Sequence, residues 1–180
     1  MGSTEPLPTL PLGLDGWSLR GWRAGDAPSL ARHANNVNIS RWMSDGFAHP
    51  YTTAIAEHWV RRGHIEFGGD NFAIALDDEA VGGCGILPGE GQFRCNAEVG
   101  WWLAEAHWGR GVVTCVAGVL AARAFADPLI TRVIAPIHAG NRRSMRVAEK
   151  NGFVLEAVQP KSAIKDGRVI DRWVWARYRD

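Results

Sequence analysis

The sequence holds only three cysteines, Cys84, Cys95 and Cys115, and no Cys-x-x-Cys spacing. An odd number of isolated thiols sets aside a disulfide framework and a thiolate zinc site. Reduced thiols suit a cytoplasmic protein. The six histidines are scattered, with no His-Glu-x-x-His pattern, so no metal is expected. No apolar run approaches the roughly 20 residues of a membrane span, so no membrane partner is expected. The first residues lack a charged region followed by an apolar core, which sets aside a secretory signal. An excess of one charge is missing too: 20 Lys and Arg against 19 Asp and Glu leave a formal net charge of +1. A chain so balanced is not built to coat nucleic acid. Tyrosine is scarce, with two residues against nine tryptophans. Trp17, Trp101, Trp173 and Trp175 fall at strand positions and are expected in the core, not as platforms for bases.

What the chain does have is 46% apolar residues over 180 positions, enough for one domain with a sizeable core. Residues 1–16 read as a flexible, proline-rich arm and residues 17–180 as a single domain without internal repeats. The patterning predicts a strand over WSLRGWR and a helix over GDAPSLARHANN with Asp26 as its cap. A turn-rich loop, SDGFAHPYTT, follows, then a second helix over TAIAEHWVRRGH with Ile55, Trp59 and Val60 inward. A hairpin comes next (NFAIAL, AVGGCGILPG), then a strand (CNAEVGWWLA), an apolar helix (GVVTCVAGVLAARAFAD) and a strand (ITRVIAPIH). A helix over NRRSMRVAEKNG is opened by Asn141 and closed by Gly152, and two strands, FVLEAVQ and RVIDRWVWARY, are joined through KSAIKDG. This order predicts an α/β (α+β) fold. Its sheet is mixed and mostly antiparallel, of about seven strands, with helices on both faces and one central parallel strand–helix–strand crossover.

The most informative stretch is HWGRGVVT, residues 107–114, between a strand and an apolar helix. A helix N-terminus presents unpaired N–H groups and the positive end of the macrodipole. Gly109 and Gly111 keep side chains away from that backbone, and Arg110 adds a fixed charge, so the turn can cradle an anion such as a phosphate. A plain tight connection is the competing reading. Neither the nucleotide P-loop nor the dinucleotide fingerprint is present.

Three blocks together resemble the GNAT acetyltransferase superfamily, in the branch of the RimJ and RimL ribosomal-protein N-acetyltransferases. AEVGWWLAEAHWGRGVVT is similar to the family's acidic strand and coenzyme A loop. NRRSMRVAEKNGF is similar to the branch's Asn-x-x-Ser helix and following Gly-Phe. ANNVNISRWMSDGFAHPYT is similar to the helix and loop over the acceptor site. The resemblance implies acetyl-CoA as cosubstrate and a primary amine as acceptor, either a protein N-terminus or a small molecule, with a homodimer among the possible assemblies. It implies that backbone N–H groups of residues 109–114 bind the pyrophosphate, with Trp108, Gly109, Arg110, Gly111, Val112, Val113 and Thr114 forming the loop. Val113 stands where the family has Gly or Ala, so either crowding of the pyrophosphate or a shifted turn, with weakened donor affinity, is expected.

Acetyl transfer to an amine needs a base for the ammonium, donors for the developing oxyanion and a proton for the leaving thiolate. Glu98 is the first candidate base, directly or through water, and His138, at the end of its strand, is the rival. The family's usual tyrosine acid has no counterpart, since Tyr51 and Tyr178 lie elsewhere. The resemblance offers Ser144 in its place, with Asn141 orienting the pantetheine or a water; a helix cap and a first-turn serine explain the same pair. Gly100 and Trp102, on the side of Glu98, are the expected backbone donors to the carbonyl and pantetheine, where the strand should splay from VIAPI. Trp42, Asp45, His49 and Tyr51 are candidate acceptor-pocket residues, against a simply packed loop. A catalytically weak acyl-CoA-binding or sensing protein is the alternative function, and a nucleotide-phosphate binder a more distant one.

Overall fold

The computed structural model describes residues 6–179. Eight strands form one sheet: β1 (Leu10–Pro11), β2 (Trp17–Gly21), β3 (Asp70–Leu76), β4 (Glu79–Pro88), β5 (Asn96–Leu103), β6 (Arg132–His138), β7 (Val154–Lys165) and β8 (Arg168–Tyr178). They lie in the order β1-β2-β3-β4-β5-β6-β8-β7. Every neighbouring pair is antiparallel except β5 and β6, which are parallel. The predicted mixed sheet with one parallel crossover is therefore the observed one, with an eighth strand added.

That eighth strand comes from the proline-rich segment read as an arm. Leu10 and Pro11 pair with Leu19 and Ser18, and Leu12 is 6% exposed in the core. Pro11 can sit there because β1 is an edge strand, where a missing N–H costs no ladder bond. Residues 1–5 lie outside the described part.

Two apolar clusters cover the two faces. On one, α5 (Val112–Ala126) buries Val112, Val116, Leu120 and Ala124 against Ala97, Val99 and Leu103 of β5. The amphipathic α6 (Arg142–Lys150) adds Met145 and Ala148 there and leaves its arginines in solvent. Asn151 ties the two helices, donating from Nδ2 to the carbonyls of Thr114 and Val147. On the other face, α1 (Ala27–Ala34) and α3 (Thr53–His58) pack Leu30, Ala34, Ala56, Val60 and Tyr51 over Trp102 and Trp22. Between α1 and α3 runs a short α2 (Val37–Ser40), and α3 continues through a π-helical turn (Trp59–Gly63) into α4 (His64–Glu66).

Two local expectations are corrected. Asp26 occupies the N-cap position of α1 but does not cap it. Its carboxylate is held by both terminal nitrogens of buried Arg20 at 2.8 Å and by the N–H of Arg23, tying the helix start to β2. β7 runs on through the segment read as a connection; an irregularity between Gln159 and Ala163, with Lys161 at φ +51°, absorbs Pro160 without ending the strand. The Asp166-Gly167 turn closes that hairpin as expected, with both residues at positive φ.

Candidate active site

The turn from β5 into α5 is pinned by Trp108, whose indole Nε1 donates to the Leu103 carbonyl at 2.7 Å. Gly109 and Gly111 adopt φ +78° and +80°, where an L-residue with a Cβ is strained. A Cβ at either would meet no heavy atom within 4 Å. The need for glycine is thus conformational, and the turn faces open space. The N–H groups of Thr114 and Cys115 both donate to the Gly111 carbonyl, at 3.0 and 3.2 Å. Those of residues 109–113 have no protein acceptor among the described residues. Five free amides at the positive end of a 15-residue helix form an anion cradle. Thr114, expected to add its amide, uses it inside the helix. Val113, where crowding of the pyrophosphate was expected, is half-buried and packs partly against the main core.

Beside this turn the sheet opens. β5 and β6 pair only at Asn96–Arg132, Ala97–Val133 and Glu98–Ile134. Beyond Glu98 the strands part, as expected, but the freed amides are not those of Gly100 and Trp102. The bonds at the two ends of β5, Gly89 N–H to the Asn96 carbonyl and Ala104 N–H to the Val81 carbonyl, both run to β4. Backbone groups alternate along a strand, so residues 98, 100 and 102 also face β4. Val99, Trp101 and Leu103 face the opening, and the Leu103 carbonyl already serves Trp108. Glu98, Gly100 and Trp102 do share a side-chain face, but that face carries the wrong backbone phase for the role assigned to Gly100 and Trp102.

At the start of α6, Asn141 Oδ1 accepts the N–H of Ser144 at 3.3 Å. Asn141 is therefore the helix cap, and the half-buried Ser144 hydroxyl has no protein partner among the described residues. Next to it lies a cleft of about 410 Å³ lined by Trp42, Trp108, Arg41, Arg142, Arg143 and Arg146, among others. The Arg143 guanidinium stands 4.5 Å from the centre of the Trp108 ring. Glu105, on the same wall, accepts from Asn36 and Asn38 and so fastens the α2 segment to the turn. Sequence reasoning missed these arginines; for the three on α6, the run Asn-Arg-Arg-Ser-Met-Arg at a helix start was the available signal.

Of the four acceptor-pocket candidates, only Trp42 lines this cleft. Tyr51 is 7% exposed, packed on Phe47 with ring centres 5.1 Å apart, and burial pushes its hydroxyl up to about 12. It belongs to the core. Asp45 accepts the N–H of Asp166 at 3.1 Å and lies 3.3 Å from Lys165 Nζ, so it clasps the β7–β8 turn. The backbone N–H of Asp166, then Lys165, hold its carboxyl below the usual range. His49 is exposed on the same loop.

Glu98, His138 and Arg172 converge on the sheet face that this loop overlies. His138 sits opposite Arg172 in the β6–β8 ladder, and Glu98 opposite Ile134, two pleats from His138. Desolvation by the surrounding groove raises the Glu98 carboxyl above its ordinary range, although its side chain remains accessible, with Arg172 opposing. Burial, then Lys165 and Arg172, lower the His138 imidazole, with Asp45 opposing. Among the described residues its buried Nδ1 has no hydrogen-bond partner. A carboxylate of raised basicity and a neutral imidazole are both fit to accept a proton. Among the described residues no group of three or more His, Cys, Asp or Glu is placed to hold a metal ion, and no helix is long and apolar enough to cross a membrane.

Known proteins are similar to this chain in sequence and in fold. A Bacillus subtilis (strain 168) protein named for ribosomal N-acetyltransferase activity, YdaF, is 27% identical over 128 residues, 68% of each chain. The ribosomal-protein-serine acetyltransferase of Escherichia coli (strain K12) is 28% identical over 109 residues, 61% of this chain and 60% of that one. The fold matches RimL, a ribosomal L7/L12 alpha-N-protein acetyltransferase solved with coenzyme A, at a TM-score of 0.81 and 19% identity, covering 95% of this chain and 98% of RimL. It also matches Mycobacterium smegmatis RimJ, solved with CoA-disulfide, at 0.80 and 24% identity, covering 97% and 86%. The family model described as an acetyltransferase (GNAT) domain matches residues 18–154, well over half the chain, and the protein belongs to that family of acetyltransferases.

Proposed function

We propose that the protein is an acetyl-CoA-dependent N-acetyltransferase acting on a primary amine, with protein N-termini, such as those of ribosomal proteins, the leading acceptors. The observation that carries this reading is the set of five unpaired amides, residues 109–113, opening on free space at the start of α5. They suit the pyrophosphate, and Arg110 adds charge beside them. The open edge of β5, with Val99 and Trp101, suits the amide-bearing pantetheine arm. The names of the ribosomal-protein relatives support the acceptor class.

Bound there, acetyl-CoA supplies an activated acetyl thioester. Glu98 takes the proton from the acceptor ammonium, directly or through a water, because only the free amine has a lone pair for attack. The free amides on the open edge of β5 stabilise charge that develops on the carbonyl oxygen. The Ser144 hydroxyl stands ready to protonate the leaving sulfur. His138 receives a proton if Glu98 does not.

Thiol release from acetyl-CoA, measured with a panel of amines and N-terminal peptides, tests the reading. Amine-dependent release supports it. Tight coenzyme A binding without release for any amine overturns it in favour of an acyl-CoA-binding or sensing protein.

A further inference from the structure

An amine alone is a loose description of the acceptor, and the charges on the groove floor narrow it. Two cations stand on the face shared by Glu98 and His138, and they differ in how they are neutralised. Lys165, with its side chain 10% exposed, lies 3.3 Å from both Asp45 and Asp166. Arg172 is half-buried and meets only neutral oxygens: Nη2 donates to Gln159 Oε1 at 3.1 Å, and Nε to Ser162 Oγ at 3.4 Å. A guanidinium carries five N–H donors. Three of them have no protein acceptor among the described residues, and no described carboxylate forms an ion pair with Arg172. Glu98 acts on this charge only at a distance, and a partly desolvated guanidinium without a directly paired carboxylate is costly in a folded protein. Gln159 and Ser162 fix the fork in place without neutralising it.

We propose that Arg172 is a specificity-determining residue that receives a carboxylate carried close to the acceptor's amine. The planar fork pairs with two coplanar oxygens through parallel N–H donors, which a lysine cannot do. In a polypeptide acceptor the group is an acidic side chain next to the N-terminal residue; in a small acceptor it is the molecule's own carboxylate. The placement also couples recognition to chemistry. Arg172 holds down the basicity of Glu98, so an acceptor that neutralises Arg172 gives Glu98 back its basicity as it binds. Lys165 and Asp45, the other charged groups near His138, are already paired with each other and leave that effect to Arg172.

This inference rests on the acetyl-transfer reading, and the test separates the two. Thiol release is measured with matched peptides that carry Asp or Asn at the second position, and with matched small amines that carry or lack a carboxylate. Binding of the same acceptors to the coenzyme A complex is followed by calorimetry. The expected result is at least a tenfold preference for the acidic member in kcat/KM, lying mostly in KM. In Arg172→Gln the ratio falls to within about twofold, and Arg172→Lys recovers part of it. In Arg172→Gln the rise of rate with pH also moves to higher pH, a shift that a merely structural role would not give. Coenzyme A affinity on the same samples reports the fold. A preference confined to peptides or to small amines identifies the source of the carboxylate. Turnover without acid preference, or a preference that survives Arg172→Gln, overturns the inference and leaves the acetyl-transfer reading intact. Acid-selective binding that is lost in Arg172→Gln, with no turnover of any amine, does the reverse.

Discussion

The donor turn and the acceptor groove flank the same strand, β5, and are built from different materials. The donor turn is backbone. Five consecutive amides, two left-handed glycines and one helix N-terminus make it, all within one short stretch. The acceptor groove is side chain. Glu98, His138 and Arg172 come from three strands and are brought together only by ladder register. A site made of amides tolerates changes of side chain, whereas a site made of convergent side chains loses its chemistry with one of them. The two regions should therefore respond to mutation on different scales.

The largest effect is expected in the groove. Glu98→Gln keeps the shape and removes the base, so turnover should fall by about 10²-fold or more with coenzyme A affinity unchanged. In the wild type the rate should rise with pH, because the ionised carboxylate is the working form. Partial desolvation in the groove raises its pKa, so the rise lies above the ordinary carboxylate range, and in Glu98→Gln it disappears. Equal activity in that variant transfers the role to His138 or water, and His138→Ala then decides between them.

On the donor side, Arg110→Glu should weaken coenzyme A binding about tenfold, or ~1.4 kcal/mol. The loss stays that small because the amides remain. Calorimetry checks it, and an unchanged dissociation constant in a folded variant removes the turn from the donor site. Ser144→Ala sharpens the comparison at the boundary. Asn141 caps the backbone N–H of residue 144, which alanine retains, so the melting temperature should hold while turnover falls by roughly tenfold. A drop in stability without a drop in rate would return Ser144 to a structural role. Smallest of all is Val113→Ala: the side chain packs partly on the core, so stability should fall by about 1 kcal/mol with donor affinity within threefold.

The same contrast decides what could be read before the fold was known. The turn was legible because its glycines, arginine and apolar helix are contiguous, and a helix start has fixed chemistry. The order of strands and helices was legible for the same reason. Gly100 and Trp102 were misassigned because side-chain alternation was read without the phase of the backbone bonds. Tyr51 was misread because a turn-rich segment does not announce that Phe47 and Tyr51 fold back beneath α1 and α3. Arg172 gave no signal at all. One arginine in an alternating strand is unremarkable until β8 is inserted between β6 and β7.

The central claim is that backbone amides hold the donor. Assigned ¹H–¹⁵N spectra recorded during a coenzyme A titration test it residue by residue. The account predicts that the amides of residues 109–113 and of Val99 and Trp101 show the dominant shifts, while Gly100 and Trp102, bonded to β4, move little. Saturable binding that leaves residues 109–113 in place, or that moves Gly100 and Trp102 in their stead, would contradict it.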